Sequence, residues 1–177
     1  EFLRTLKCFS KVGMLGHSEG GSIAFMLGAK GKVDFIISMA GIGVRGDTAL
    51  TAQANRLLEL SGQPMRLSTL QYRVNAYMKK SPWLNFFMDY DPSGDITKTL
   101  CPVMAINGER DVQVISSLNL IGIKGHLTEN PKNFVKEYPA LNHLFQHCTT
   151  GNVSEYRMIE ETISPEVLED IVRFIKQ

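Results

Sequence analysis

The sequence lacks the features that mark several specialised classes of protein. No apolar run approaches the roughly 20 residues that a membrane-spanning helix needs. Internal repeats and low-complexity segments are absent as well. The 19 basic and 18 acidic residues leave a formal charge of +1, so the charge balance favours neither nucleic acid nor anionic lipid as a partner. With 44% hydrophobic residues in a length of 177, the composition is typical of one globular domain.

Cysteine is also scarce. Cys8, Cys101 and Cys148 are odd in number and far apart, and this spacing predicts neither a disulfide framework nor a metal site. At the start of the chain, residues 1–8 carry apolar side chains at helical spacing and no initiator Met. We therefore expect the sequence to begin inside a helix and to be the C-terminal portion of a longer domain.

Short apolar runs separated by glycines predict an α/β fold. Residues 9–15 and 33–39 are typical of buried strands, and residues 23–27 between them are typical of a helix, which together predict a βαβ unit. The runs 102–107 and 133–138 predict two further strands. The last run alternates more between polar and apolar residues, so we place it nearer a sheet edge. These patterns favour a mostly parallel sheet.

Helical patterns occupy most of the remaining chain. Between the second and third predicted strands, residues 47–98 predict a helical insertion, in which Pro64 suits the first turn of the second helix. A weaker helix is predicted over 116–124. Near the end of the chain, Ser164 is a suitable N-cap and Pro165 suits the first turn of an amphipathic helix. The insertion ends in an aromatic stretch made of Trp83, Phe86, Phe87 and Tyr90.

The clearest chemical signal is a G-x-S-x-G pattern at residues 16–20, between a predicted strand and a predicted helix. Such a turn holds a serine in a strained backbone with its hydroxyl exposed above the sheet. The pattern therefore predicts Ser18 as a nucleophile. The backbone N–H of Glu19, at the start of the following helix, is a suitable donor to an oxyanion.

A serine nucleophile needs a base, and the base needs an acid that orients it. Asp111 follows the third predicted strand and His143 follows the fourth. The carboxyl ends of parallel strands meet at one sheet edge, so we expect both side chains to lie near Ser18. Glu109 is the alternative acid, and His147 is the alternative base.

We expect no catalytic role for the remaining histidines or for Cys148. His17 lies beside the nucleophile, and we expect it to pack or form hydrogen bonds within the fold. His126 is expected to be solvated in a polar loop. Cys148 is expected to pack, because no elbow precedes it.

Taken together, these motifs resemble the α/β-hydrolase superfamily. The segments GHSEGG, CPVMAINGERDVQV and ALNHLFQ carry the resemblance in the expected order, over nearly all of the chain. They are most similar to bacterial serine aminopeptidase-like, dienelactone hydrolase-like and acyl esterases. The resemblance implies that Ser18 is the nucleophile, Asp111 the acid and His143 the base. It also implies that Glu19 supplies an oxyanion N–H and that residues 47–98 form the variable lid of a partial α/β-hydrolase fold.

The sequence departs from that superfamily at its beginning. The earlier strands, and the loop that supplies a second oxyanion donor, have no counterpart here. We therefore expect an unpaired apolar edge beside the strand that leads to Ser18. A truncated chain, a companion N-terminal segment or a second copy of the chain would each account for this edge. Losing one oxyanion donor typically costs about 100- to 1000-fold in turnover.

The leading functional prediction is a serine hydrolase that cleaves carboxylic esters through an acyl-enzyme. Its substrate would be a small-molecule ester or acyl compound, and neither a metal nor an organic cofactor is needed. A peptidase or thioesterase with the same three residues is the close alternative. A non-catalytic hydrolase half that binds or pairs is the alternative of a different class. The aromatic stretch, together with Met65 and Met78, either walls an acyl pocket or packs the lid onto the body.

Overall fold

The computed structural model describes residues 2–177. Its centre is a sheet of four strands in the order β1 (Met14–His17), β2 (Ile36–Met39), β3 (Val103–Gly108) and β4 (Phe134–Tyr138). Each neighbouring pair of strands is parallel. The prediction of an α/β fold with a mostly parallel sheet is therefore confirmed.

The helices surround this sheet and follow the predicted order. They are α1 (Phe2–Thr5), α2 (Glu19–Ala29), α3 (Gly46–Leu60), α4 (Thr69–Tyr77), α5 (Pro82–Asp89), α6 (Ser93–Lys98), α7 (Ser116–His126) and α8 (Pro165–Ile175), with a 3-10 helix at Val153–Met158. Glu1, the first residue of the helix predicted at the start of the chain, lies outside the described residues. None of the helices within residues 2–177 combines the length and the hydropathy that crossing a bilayer requires.

Several boundaries differ from the sequence prediction for local physical reasons. Strand β1 runs to His17 rather than ending at residue 15, because it continues into the tight turn before α2. Helix α4 begins after Ser68 rather than near Pro64. The Ser68 side chain accepts a hydrogen bond from the Gln71 backbone N–H, and the Gln71 side chain accepts one from the Ser68 backbone. This capping box places the helix start at Thr69, five residues after Pro64.

Both faces of the sheet are covered. All residues of β2 and β3 are buried, because successive side chains point to opposite faces and each face has its own core. Helices α2, α6 and α7 cover one face, with Phe25, Ile96 and Ile123 against Ile36, Val103 and Ala105. Helix α8 and parts of α3 and α5 contribute to the other core, with Phe174, Ala49 and Phe87 packed together with Ile37, Met104 and Ile106.

The two edge strands are less buried than the central pair. Among residues 2–177, β1 pairs with β2 alone, and its Leu15 and His17 side chains are exposed. Most residues of β4 are partly exposed. Since β1 ends directly before Ser18, the nucleophile candidate follows an edge strand of the sheet.

Helices α3, α4 and α5 are joined by a network of ion pairs. Arg73 contacts Asp47 at 2.8 Å and Asp89 at 2.6 Å, and Arg45 contacts Asp89 at 3.1 Å. Asp47 is buried at the start of α3, where a carboxylate also interacts favourably with the helix dipole. The network holds the inserted helices together above the carboxyl ends of the strands.

Candidate active site

Ser18 occupies a strained turn between β1 and α2. Its backbone dihedral angles are φ 57° and ψ −120°, a region that costs a non-glycine residue free energy unless the surroundings enforce it. The turn is tight, since a Cβ placed on Gly16 would lie 1.9 Å from the carbonyl oxygen of Gly20. A hydrogen bond of 2.8 Å from the Ser18 N–H to the Met39 carbonyl fixes the turn against β2. The sequence around Ser18 therefore folds as the tight strand-to-helix turn that a nucleophile elbow requires.

Glu19 is the first residue of α2. Its backbone N–H belongs to the first helical turn, where amide groups have no partner within the helix and the dipole is positive. The Glu19 carboxylate points elsewhere and accepts a 2.7 Å hydrogen bond from the indole Nε1–H of Trp83 on α5. The backbone of this residue is thus available to a developing oxyanion, while its side chain ties the elbow to the inserted helices.

Asp111 and His143 form a buried pair. The His143 Nδ1–H donates to Asp111 Oδ2 at 2.7 Å, and the two residues are only 5% and 3% exposed. The other carboxylate oxygen, Oδ1, accepts from the backbone N–H groups of Gln113 and Val114, each at 2.8 Å. Because a carboxylate only accepts hydrogen bonds, this arrangement places the proton on Nδ1 and leaves Nε2 free to act as a base.

The loop that carries His143 is held by polar contacts rather than by regular structure. The buried Asn142 side chain accepts from the backbone N–H groups of Leu144 at 2.9 Å and Gln146 at 3.0 Å. Arg110, next to Asp111, donates to the carbonyl oxygens of Cys148 and Thr149. The Arg110 bonds connect the loop after β3 directly to the loop after β4, so the candidate acid and the candidate base are positioned as one unit.

His17 links the elbow to the same loop. Its Nε2–H donates to the backbone carbonyl of His143 at 2.8 Å, and the two imidazole ring centroids are 4.6 Å apart. Partial burial against this loop lowers the pKa of His17, which favours the neutral ring. The residue before Ser18 therefore supports the backbone of the candidate base.

The structure brings two of the three predicted site residues into direct contact and links the third indirectly. His143 is bonded to Asp111 and, through its carbonyl, to His17 next to Ser18. No hydrogen bond joins the Ser18 hydroxyl to the His143 ring among residues 2–177. Catalytic hydrogen bonds are often long or poorly aligned before substrate binds.

The alternative acid and base have other partners. The Glu109 carboxylate accepts the Ala140 backbone N–H at 2.9 Å, at the end of β4. The His147 side chain is 62% exposed and pairs with Glu161 at 3.0 Å. Both side chains therefore form contacts that hold the loops after β3 and β4.

The remaining candidates lie apart from the pair. His126 is exposed at the end of α7. The Cys148 thiol contacts the Ala140 carbonyl at 3.4 Å, and burial raises the pKa of this thiol. A raised thiol pKa disfavours the thiolate that a cysteine nucleophile requires.

A small cavity of about 170 Å³ opens beside Ser18. Gln53, Gln113 and Glu19 contribute polar groups to it. Its apolar lining consists of Ile42, Ala49, Leu50, Trp83, Phe87 and Val114. Of the aromatic stretch singled out in the sequence, Trp83 and Phe87 thus reach the cavity. Phe86, Met65 and Met78 are exposed elsewhere, and Tyr90 packs against the core and donates to Asp95 at 2.8 Å.

Two contacts at the site were not anticipated from the sequence. One is the bond between Trp83 and Glu19, which joins residues 64 positions apart. The other is a 3.1 Å bond from the Gln113 side-chain amide to the Tyr156 hydroxyl in the 3-10 helix. Burial raises the pKa of Tyr156, so its hydroxyl stays protonated. A short 3-10 helix has no hydrophobic periodicity that would have revealed it.

The parallel sheet, the elbow and the paired loops define a protein of the α/β-hydrolase fold. A family model described as "BAAT / Acyl-CoA thioester hydrolase C terminal" matches residues 1–147. The chain therefore belongs to this family, and its resemblance to the α/β-hydrolase superfamily is confirmed. No curated protein matches the chain at a significant level.

Solved structures of the same fold are similar at low sequence identity. A bromoperoxidase of Bacillus anthracis has a TM-score of 0.57 at 14% identity, covering 99% of this chain and 71% of its own. A meta-cleavage product hydrolase of Pseudomonas fluorescens has a TM-score of 0.55 at 14% identity, with 99% and 68% covered. An esterase of Pyrococcus furiosus has a TM-score of 0.55 at 14% identity, with 93% and 52% covered. The chain thus spans about half the length of this esterase, and these similarities concern the fold.

Proposed function

We propose that the chain carries the acyl-transfer site of a serine hydrolase. The single observation that carries this proposal is the strained elbow at Ser18, one residue from the imidazole that supports the His143 backbone. The buried bond between His143 and Asp111 supplies the oriented base that such a serine needs. Membership of the acyl-CoA thioester hydrolase family favours acyl thioesters as the substrate. Oxygen esters are the second candidate, since the same groups cleave both.

In the proposed reaction, His143 Nε2 accepts the proton of the Ser18 hydroxyl as Oγ attacks the acyl carbonyl carbon. The Glu19 N–H donates to the resulting oxyanion. The tetrahedral intermediate collapses, the carbon–sulfur bond breaks, and His143 returns the proton to the leaving thiolate. A water molecule, deprotonated by His143, then attacks the acyl-enzyme; the bond from Ser18 Oγ to the acyl carbon breaks, His143 returns the proton to Oγ, and the carboxylic acid is released. Throughout, Asp111 holds the His143 tautomer and stabilises the imidazolium.

A fluorophosphonate probe tests the nucleophile without knowledge of the natural substrate. Ser18 Oγ displaces fluoride from phosphorus, and intact-protein and peptide mass spectrometry locate the adduct. We expect one adduct on Ser18, none in Ser18→Ala, and normal labelling of a control, Ser10→Ala, which replaces an exposed serine. A folded protein that remains unlabelled would exclude the hydrolase and favour a binding role.

A matched substrate panel then separates the classes of acyl bond. Acyl-CoA thioesters, p-nitrophenyl esters of the same acyl chains and aminoacyl anilides are compared by kcat/KM. We expect the thioesters to have the highest values and the anilides the lowest. Faster cleavage of anilides than of both ester types would contradict the proposal and indicate a peptidase.

A further inference from the structure

Helix α4 presents a continuous apolar face to solvent. Leu70, Val74 and Tyr77 lie on the helix, and Met78 directly follows its last residue. Their i, i+4, i+7 and i+8 spacing places the four side chains, here called the α4 face, on one side of the helix. They are 71%, 57%, 70% and 75% exposed, respectively. A contiguous exposed apolar patch commonly marks an interaction surface.

The opposite side of α4 is already packed inside the protein. Ala76 is 3% exposed and forms a small core with Leu84 and Met88 of α5, against which Tyr72 packs. Within residues 2–177, none of the four residues of the α4 face belongs to a buried cluster. Packing of the inserted helices therefore accounts for one side of α4 and leaves the apolar side chains of the other side unexplained.

A cleft beside the α4 face extends the apolar surface to α5. Val74, Tyr77 and Met78 line this cleft together with Met88 of α5. The neighbouring residue of α5, Phe87, lines the cavity beside the candidate nucleophile. The exposed apolar surface and the candidate active site thus share helix α5.

Basic residues flank the α4 face. Residues 60–88 contain two arginines and two lysines but neither aspartate nor glutamate. Arg73 is neutralised by the ion pairs that join the inserted helices. Arg66 before the helix and Lys79 and Lys80 after it are exposed. The formal charge of +1 for the whole chain conceals this local positive excess.

This combination of charge and apolar surface favours anionic lipid over another protein surface. In a symmetric dimer the same patch meets itself, so the positive charges of two copies would be brought together. Lysine is depleted at protein–protein interfaces. An apolar helix face accompanied by lysine and arginine is instead typical of helices that lie on anionic lipid. Tyr77 fits the same setting, because its apolar ring and polar hydroxyl suit the boundary between lipid and water.

We propose that the α4 face docks on the surface of an anionic lipid bilayer. Its apolar side chains enter the boundary between headgroups and acyl chains, to a depth of about 5–10 Å, and Arg66, Lys79 and Lys80 contact the anionic headgroups. Helix α4 has 9 residues, fewer than the roughly 20 that cross a bilayer, so it lies along the surface. This inference goes beyond the proposed function and does not depend on Ser18 being the nucleophile.

Vesicle flotation tests the docking surface directly. The protein is mixed with vesicles of phosphatidylcholine alone or of phosphatidylcholine with phosphatidylserine, and the partition constants are compared. We expect binding to the anionic vesicles to be about 100-fold stronger, because each of the three basic residues adds a favourable interaction with the charged surface. Binding weakens at high salt, since the Debye length falls from about 10 Å at 0.1 M to about 3 Å at 1 M.

Leu70→Gln tests the apolar part of the surface. We expect it to lower the partition constant for anionic vesicles about tenfold, because a leucine side chain is no longer removed from water. The matched control is Leu100→Gln, which replaces a leucine that is 72% exposed in the loop between α6 and β3. The control keeps the parent partition constant.

A double lysine variant tests the basic part of the surface. Lys79→Gln combined with Lys80→Gln lowers the partition constant about 30-fold. Lys98→Gln combined with Lys124→Gln removes the same charge at two exposed positions on α6 and α7 and is expected to have little effect. Denaturant unfolding of every variant verifies that the protein is folded.

Four results would overturn the inference. A folded parent protein that does not bind anionic vesicles, equal binding to both types of vesicle, or equal losses in a variant and its control would each do so. A dimer detected by light scattering and abolished by Leu70→Gln would assign the α4 face to a second copy of the chain instead. Fluorophosphonate labelling of the same samples is expected to match the parent in all variants, so failure of the docking surface is distinguishable from failure of the proposed function.

Discussion

Replacing Asp111 by Asn isolates the role of its carboxylate without changing its shape. Oδ1 accepts two backbone N–H groups, those of Gln113 and Val114, so the asparagine must keep its oxygen there. Its NH₂ group then faces His143 Nδ1, where a carboxylate oxygen now accepts the hydrogen bond from Nδ1–H. Nδ1 would become the acceptor and Nε2 would carry the hydrogen. In this tautomer His143 cannot take the Ser18 proton.

The expected loss of activity follows from this exchange of tautomers. The same change in the triad of a serine protease lowers kcat on the order of 10⁴-fold, equivalent to about 5 kcal/mol of transition-state stabilisation. The fold loses far less, because both backbone hydrogen bonds remain. We expect a decrease of about 1 kcal/mol in the free energy of unfolding, the difference between a charged and a neutral hydrogen bond.

The assay follows release of free thiol from an acyl thioester, together with the rate of fluorophosphonate labelling. Denaturant unfolding of the same samples measures stability. Glu109→Gln is the matched control, since its side chain contacts the Ala140 backbone, and we expect no more than a small loss of activity. A folded Asp111→Asn protein within tenfold of the parent rate would refute the assignment of the acid. An equal loss in Glu109→Gln would show that Glu109 serves instead.

Three further predictions concern the base, its support and the pH dependence of stability. His143→Ala abolishes ester turnover in a folded protein while His147→Ala keeps most of it, and the reverse result would make His147 the base. His17→Gln keeps a donor for the His143 carbonyl, whereas His17→Phe loses it. We expect His17→Phe to slow fluorophosphonate labelling of Ser18 about tenfold, the equivalent of one hydrogen bond. Equal labelling rates in the two variants would rule out a positioning role for His17. Burial by itself raises the pKa of Asp170, but hydrogen bonds, first from Lys136, outweigh it and lower the pKa below its ordinary value. Asp170 therefore stabilises the fold above the unfolded-state pKa of about 3.9 and loses this contribution as the pH falls through the lower folded value; acid unfolding of Asp170→Asn should show a shallower pH dependence, and an unchanged one would contradict this.

Much of the fold was predictable because local signals and tertiary structure agree. The apolar runs at β2 and β3 are buried on both faces, as a central parallel strand requires. Helix α8 begins at Pro165 after Ser164, as the capping pattern indicates. Helix α4 begins later than Pro64 predicts, because the Ser68 capping box outweighs the helix-start signal of Pro64.

The order of strands and helices along the chain, and the tight turn at Ser18, follow from the amino-acid sequence alone. Those features depend on hydrophobic spacing and on glycines whose effects extend over a few residues. The contact of His17 with the backbone of His143, 126 positions away, and the bond between Trp83 and Glu19 arise only in the folded protein. Such contacts depend on where distant loops meet above the sheet, and neither residue spacing nor composition encodes a distance between side chains that are far apart in the chain. The size of the cavity beside Ser18 likewise depends on tertiary packing, since the cavity is the space left after several separate elements have packed.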